Sequence, residues 1–315
     1  MHIFRITVTA ALLVAAVDAN AGCGAAFCSL NTNWSMQGVW TEPGARFDLR
    51  YEFVDQDQPR SGTQDVDVGQ INRHHDEVRT INRNVIAGFD YTFDANWGAG
   101  VQLPVVDRSH EHIHNHMGGQ IPEAWSFTQI GDVRVVGRYR FTPAEPQAGA
   151  FGLQFGVKLP TGKIDVANDD GDVAERSLQP GSGTTDAILG AFYSGPLATR
   201  AAWFADVNWQ TPLGERDGYK PGNRAGVDIG ASYPLTGSVA LLLQLNTLWK
   251  DRDRGDNAEP EDTGGTFVHV SPGVSVALGG RTQLYGFVQL PIYQDVNGVQ
   301  LTADWSVAAG LSHRF

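Results

Sequence analysis

From Arg46 to Phe315 the chain repeats one pattern: about ten residues in which apolar and polar side chains alternate, then a break. A period of two sends successive side chains to opposite faces of an extended strand. The last stretch is the plainest. Leu301, Ala303, Trp305, Val307, Ala309, Leu311, His313 and Phe315 share one face, which reads as lipid-facing. Thr302, Asp304, Ser306, Ala308, Gly310, Ser312 and Arg314 share the other, which reads as lumen-facing. Phe47, Leu49, Tyr51 and Phe53 alternate likewise with Arg46, Asp48, Arg50 and Glu52. A charged face opposite an aromatic-rich one, repeated strand after strand, predicts an all-β fold: a transmembrane antiparallel β-barrel. The segments number about 12, near 46–55, 80–93, 97–107, 129–141, 150–160, 184–194, 198–211, 224–234, 238–250, 266–278, 281–293 and 301–315.

The connections sort by length. Asp94-Ala95-Asn96, Gly195-Pro196-Leu197, Leu235-Thr236-Gly237 and Gly279-Gly280 are tight turns, and Thr142 to Gly149 is a slightly longer one. Between them fall longer polar stretches at 56–79, 108–128, 161–183, 212–223, 251–265 and 294–300. Short periplasmic turns and long external loops alternate in this way in outer-membrane barrels. The expectation is a bacterial outer-membrane location with both termini periplasmic.

Composition adjusts this picture in three places. Over 315 residues the mean hydropathy is −0.23, too polar for a bundle of membrane helices, while 37 glycines suit a barrel. The net charge of −12 argues against nucleic acid as a partner. The first residues read as processing rather than structure: Arg5, the short apolar run from Ile6 to Val17, then Ala19-Asn20-Ala21. The predicted organisation is therefore a cleaved signal peptide over 1–21, a lead over 22–45 that is periplasmic or lumenal, and a barrel over 46–315. The expected partners are outer-membrane lipid and lipopolysaccharide, the barrel assembly machinery and a small-molecule solute.

Cys23 and Cys28 are the two cysteines, both just past the cleavage point. In an oxidising periplasm they read as a local disulfide. Lipidation of Cys23 and a soft-metal site at the pair are the alternatives. At the other end, Phe315 with Leu311, Ala309 and Val307 resembles the C-terminal strand by which outer-membrane barrels are recognised for assembly. His313 departs from that pattern, where an aromatic is commoner.

Lys158-Leu159-Pro160-Thr161-Gly162 and Leu178-Gln179-Pro180-Gly181-Ser182-Gly183-Thr184-Thr185-Asp186 bracket one external loop. Both stretches resemble the outer-membrane family named for the meta-pathway of phenol degradation. The resemblance is confined to them, and the strand pattern alone carries it elsewhere. It implies passage of small molecules, hydrophobic aromatic compounds among them. Read from the residues, the same motif is architectural: Pro160 and Gly162 end a strand, and Pro180-Gly181-Ser182-Gly183 re-enters the next.

The sharpest local chemistry is Ser109-His110-Glu111-His112-Ile113-His114-Asn115-His116-Met117. Histidines at every second residue project to one side of an extended segment. Neutral imidazole suits zinc, copper and nickel, and His74 and His75 lie in the preceding loop. A metal-capturing external site at His74, His75, His110, His112, His114 and His116 is one reading. A solvated polar loop with adventitious affinity is the other. Asp165, Asn168, Asp169, Asp170, Gly171 and Asp172 offer hard oxygens for calcium, without the EF-hand spacing. Asp251, Asp253, Asp256, Glu259, Glu261 and Asp262 form a similar cluster with less pattern, readable equally as a bridge through divalent ions to lipopolysaccharide phosphates. No cofactor is required.

The predicted lumen lining carries both signs: Arg46, Arg50, Arg134, Arg138, Lys158 and Arg224 against Asp48, Glu52, Asp132, Asp186 and Asp228, with Asp304 on the same face. This predicts a narrow ion-paired lumen with little preference for either ionic sign. No phosphate loop or nucleophile elbow is present, so the expectation is a channel or a binding protein and not an enzyme.

Overall fold

Alternation along the chain becomes the two faces of one curved sheet. The structure, a computed structural model, describes residues 30–141 and 148–315. The wall begins with β1 (Gly44–Gln56), β4 (His75–Thr92), β5 (Trp97–His116), β7 (Val133–Arg140) and β8 (Ala150–Leu159). It continues through β9 (Asp186–Pro196), β10 (Ala202–Pro212), β11 (Arg224–Pro234) and β12 (Val239–Lys250). It ends with β13 (Gly265–Ala277), β14 (Thr282–Thr302) and β15 (Ser306–Arg314). These strands pair antiparallel with their neighbours. The ring closes where β1 meets β15, from Arg46 opposite Arg314 to Val54 opposite Ser306. That is a closed 12-stranded barrel, as the alternation predicts. Three further strands lie beyond the ring: β2 (Gln58–Gly62), β3 (Gln64–Asp65) and β6 (Gly119–Ile130).

The wall is inside out for a protein in water. Leu241, Leu243, Leu245 and Trp249 of β12 are exposed, while Gln244 and Asn246 between them are buried. In β10, Val207 and Trp209 are exposed, and Asp206 and Gln210 are buried. Aromatic rings gather at the end that carries the tight turns: Trp97 lies 4.8 Å from Tyr139, Phe141 5.6 Å from Phe151, and Tyr193 5.0 Å from Trp203. Such a girdle belongs at a membrane–water boundary. Leu243, 52% exposed and mid-strand, tests the assignment. Leu243→Arg is expected to destabilise the barrel by about 2–4 kcal/mol when refolded into lipid vesicles. A cost near zero in urea titrations would mean that this face does not meet lipid.

Three stretches expected to be loops are sheet. The 108–128 segment is a hairpin: β5 continues to His116, turns through Met117 and Gly118 at φ of 48° and 83°, and returns as β6. Residues 56–79 contain β2, β3 and the start of β4. Residues 294–300 belong to β14, whose end pairs with β2. β4, β5 and β14 run 18, 20 and 21 residues, about twice the roughly 9–11 needed to cross a bilayer. They therefore project beyond it at the loop end. Leu301, expected on the lipid face, sits in this projection, buried with Trp125, Ala174 and Leu178. Asp304, expected in the lumen, is exposed in the turn before β15.

The lead enters the barrel. Residues 30–40 occupy the lumen near the end that carries the tight turns and Phe315, and fold into consecutive turns with Val39 N–H donating to the Trp34 carbonyl at 2.8 Å. Trp34 is 1% exposed and packs edge-on against Tyr285 at 5.0 Å, with Leu30, Phe287 and Ala308 around it. Gly38, at φ 85°, passes so close to the wall that an added Cβ would lie 3.0 Å from Ser194 Oγ. The predicted signal peptide and the Cys23–Cys28 disulfide fall outside the described residues, as does most of the Thr142 to Gly149 turn.

Candidate functional site

Two polar assemblies fill the barrel. The first holds the lead in the terminal half. Ser35 Oγ donates to Asp90 Oδ1 at 3.2 Å and accepts from Arg46 Nη1 at 3.0 Å. Arg138 clamps Asp90 and donates to Thr92 Oγ1 at 2.6 Å. Arg50 reaches Thr32 and pairs with Glu52 at 2.9 Å. Across the lumen, Asn31 Nδ2 donates to Asp228 Oδ2 at 3.2 Å, and Gln244 Nε2 donates to the Asn31 carbonyl at 2.9 Å. Asp48 accepts from Tyr285 Oη at 2.9 Å. Buried charges survive in such a wall because nearly every one faces a partner.

Next comes a clasp made by the two motif stretches. Lys158 Nζ lies 3.1 Å from both Asp132 Oδ2 and Asp186 Oδ2. Ser182 N–H and Gly162 N–H donate to the Asp132 carboxylate at 2.9 and 3.1 Å. The two limbs touch at glycines: a Cβ on Gly162 would lie 2.6 Å from Gly181 Cα. Gln210 links Asp186 at 2.5 Å to Arg134 at 2.8 Å, and Arg224 lies within electrostatic reach of Asp253 and Asp186. The geometry thus gives the motif an architectural role, tying the 161–185 segment down over the lumen.

Above the clasp, at the loop end, lies a histidine vestibule. The outward residues of β5 change there from Val101, Leu103 and Val105 to Asp107, Ser109 and Glu111, so this region stands clear of the apolar belt. His110 Nε2 lies 3.2 Å from His112 Nδ1 and 3.5 Å from Glu77 Oε2. His110 Nδ1 contacts Thr80 Oγ1 at 2.8 Å, and His112 Nε2 contacts Glu123 Oε2 at 2.8 Å. His75 stacks on His112 with ring centres 4.4 Å apart and meets Glu175 Oε1 at 3.0 Å. His74 and His114 complete the cluster, 4.4 Å apart. His116, exposed at the hairpin tip, touches His114 edge-on at 5.8 Å but belongs to none of the convergent ligand groups, against the expectation of four histidines acting together.

Burial sets the protonation here. It pushes the His75 imidazolium down to about 3, and His110 well below the usual histidine range; both are further opposed by neighbouring His112. His112 also falls by burial, against the pull of Glu123. Glu175 rises well above the carboxylate range through burial and then through Glu77, and Glu259 rises through burial and Glu175. Burial moves both His75 and Glu175 toward neutrality, which lowers the ionic character of their 3.0 Å contact.

Sequence periodicity identified the histidines but missed their acidic partners. Glu123 arrives from β6, and Glu175 from a loop far along the chain. Glu77 was hidden by a β-bulge between Glu77 and Arg79 that reverses the inward parity of β4. Among the described residues, the convergent ligand groups lie in this vestibule. At 165–172 the residues form a surface turn in which Asn168 Oδ1 accepts from the N–H groups of Asp170 and Asp172. Asp253, expected as a surface acid, is buried and accepts from Tyr219 Oη and Gly222 N–H at 2.8 and 2.7 Å.

No family model matches the sequence, and no curated protein matches it. The likeness is in three dimensions. A COG4313 outer membrane channel from Pseudomonas putida F1 superposes at a TM-score of 0.65, over 87% of this chain and 96% of that one, with 12% identity. This chain has the fold of an outer-membrane β-barrel. The NanC porin gives a TM-score of 0.47 at 10% identity, covering 85% of this chain and 100% of that one. The CymD monoaromatic hydrocarbon channel gives 0.45 at 9% identity, covering 91% and 94%.

Proposed function

We propose that this barrel is a narrow outer-membrane channel for small molecules, hydrophobic aromatic ones among them. Its loop end faces the exterior and its termini face the periplasm. The observation that carries this reading is a cavity of about 270 Å³ between the lead and the wall of β10 to β13. Trp34, Val39, Phe204 and Leu242 give it apolar surface, and Gln37, Ser232 and Gln244 give it polar edges. A cavity of about 150 Å³ is enough for benzene, so one substituted aromatic ring fits. Apolar lining with a few polar groups is the usual composition of a small-molecule site. The motif resemblance to the phenol meta-pathway family supports the same cargo. The exposed C-terminal Phe315 supports recognition by the barrel assembly machinery. The mixed-sign lumen favours uncharged solutes over either class of ion.

Purified protein in liposomes is expected to pass small phenols faster than glucose-sized sugars. Ser232→Trp, which fills the cavity from β11, is expected to cut phenol entry at least severalfold without unfolding the barrel. Absence of any solute flux in swelling and planar-bilayer assays would sink the channel reading. Equal flux of phenol in the wild type and the tryptophan variant would sink the assignment of the path.

A further inference from the structure

The geometry points to a divalent transition-metal site, of zinc type, in the loop-end vestibule, with Glu77, His110 and His112 as ligands. Four-coordinate zinc with bonds of about 2.0–2.1 Å sets its ligand atoms about 3.3–3.4 Å apart. Here His110 Nε2 stands 3.2 Å from His112 Nδ1 and 3.5 Å from Glu77 Oε2, and all three ligand atoms fall within 4.8 Å of one another. Two edges of a coordination tetrahedron are therefore nearly in place, and the third pair of ligand atoms is within 4.8 Å. Two imidazoles and one carboxylate leave a fourth position open, and the donor types suit zinc or nickel better than calcium.

The outer contacts orient the ligands. Glu123 only accepts hydrogen bonds when ionised, so His112 carries its proton on Nε2, which leaves the Nδ1 lone pair aimed at His110. Without a metal, His110 fills the gap with a proton on Nε2. With a metal, that proton sits on Nδ1 and is donated to Thr80 Oγ1, a hydroxyl able to donate or accept. The switch needs no rearrangement of heavy atoms. A carboxylate or hydroxyl behind each metal-bound histidine is the arrangement that fixes ring orientation at metal sites.

Further ligand groups form a ladder toward the trio. Two further ligand groups, His74 with His75 and His114, and His75 with His112 and Glu175, step from the half-exposed His114 down to the fully buried trio. His114 Nε2 is buried with no hydrogen-bond partner on this ladder. The middle group shares His75 with the outer one and His112 with the inner one, so neighbouring groups compete for a ligand, and the fully buried trio is the tight site. The site stands whether or not the barrel conducts.

The test is zinc titration of the full chain in detergent, without a polyhistidine tag and after treatment with a chelator. Calorimetry is expected to give one zinc per chain. His112→Ala is expected to weaken binding at least 100-fold, Glu123→Gln about 10-fold, and His116→Ala not at all. Each variant is checked for heat-modifiable migration, the mark of a folded barrel. Should His112→Ala fail to fold, cobalt(II) in the wild type decides. Intense visible bands of a four-coordinate ion are expected, and the faint bands of a six-coordinate one overturn the site. Weak binding of several ions, or equal losses in His112→Ala and His116→Ala, also overturns it.

Discussion

Trp34→Ala is expected to raise single-channel conductance severalfold and to make the open level noisier. The indole is the keystone of the lead: it is buried against Tyr285 and Phe287, and the polar anchors on either side only reach the wall because it holds the turn in place. Truncating a buried tryptophan costs about 3–5 kcal/mol of local packing. That is more than a typical single hydrogen bond from Ser35 or Asn31 to its charged partner, about 1.5–3 kcal/mol. The lead should then detach while the wall, with its own backbone ladder, stays closed. Planar-bilayer recordings of wild type and variant check this. Unchanged conductance would mean that the lead does not limit the path.

Lys158→Ala is expected to be among the most destabilising single changes in the barrel, by about 3–5 kcal/mol. The ammonium lies midway between two carboxylates that are themselves buried. Removing it leaves Asp132 and Asp186 facing each other without a directly paired cation, since Arg134 and Arg224 act on them only from farther off, and it also loosens Ser182. The compensated triple change Lys158→Met, Asp132→Asn, Asp186→Asn should recover much of the loss, because the penalty belongs to unpaired charge and not to missing volume. Urea unfolding followed by tryptophan fluorescence measures both. Equal stability of Lys158→Ala and wild type would show that the clasp is solvated.

Strand placement was legible because lipid and lumen impose opposite demands on successive residues. The failures share one cause. Loops were read where the outer face lost its apolar residues, as at 108–128 and 294–300. That loss marks where a strand leaves lipid, and the hydrogen-bond ladder continues past it. For the same reason the histidines looked like a solvated loop, although His110 and His112 keep the inward phase of Arg108 and are as buried as any lumen residue. The vestibule was only half legible. Regular spacing within β5 shows in one stretch of chain, whereas Glu123 and Glu175 join through the fold. The lead could be assigned to lumen or periplasm by sequence, since Trp34 and Trp40 suit either. Cross-lumen hydrogen bonds from Asn31 place it inside.

The position of the lead has a consequence for assembly order. Its residues are made before any strand, yet they bond to Asp90 on β4, to Asp228 on β11 and to the ring of Tyr285 on β14. All three are on hand only once β14 is in place, and the seam between β1 and β15 that fixes their spacing shuts with the last strand. Such distant pairings form slowly. A segment that precedes every strand in the sequence is thus the last to find its native neighbours, and the wall must be nearly complete before it is plugged.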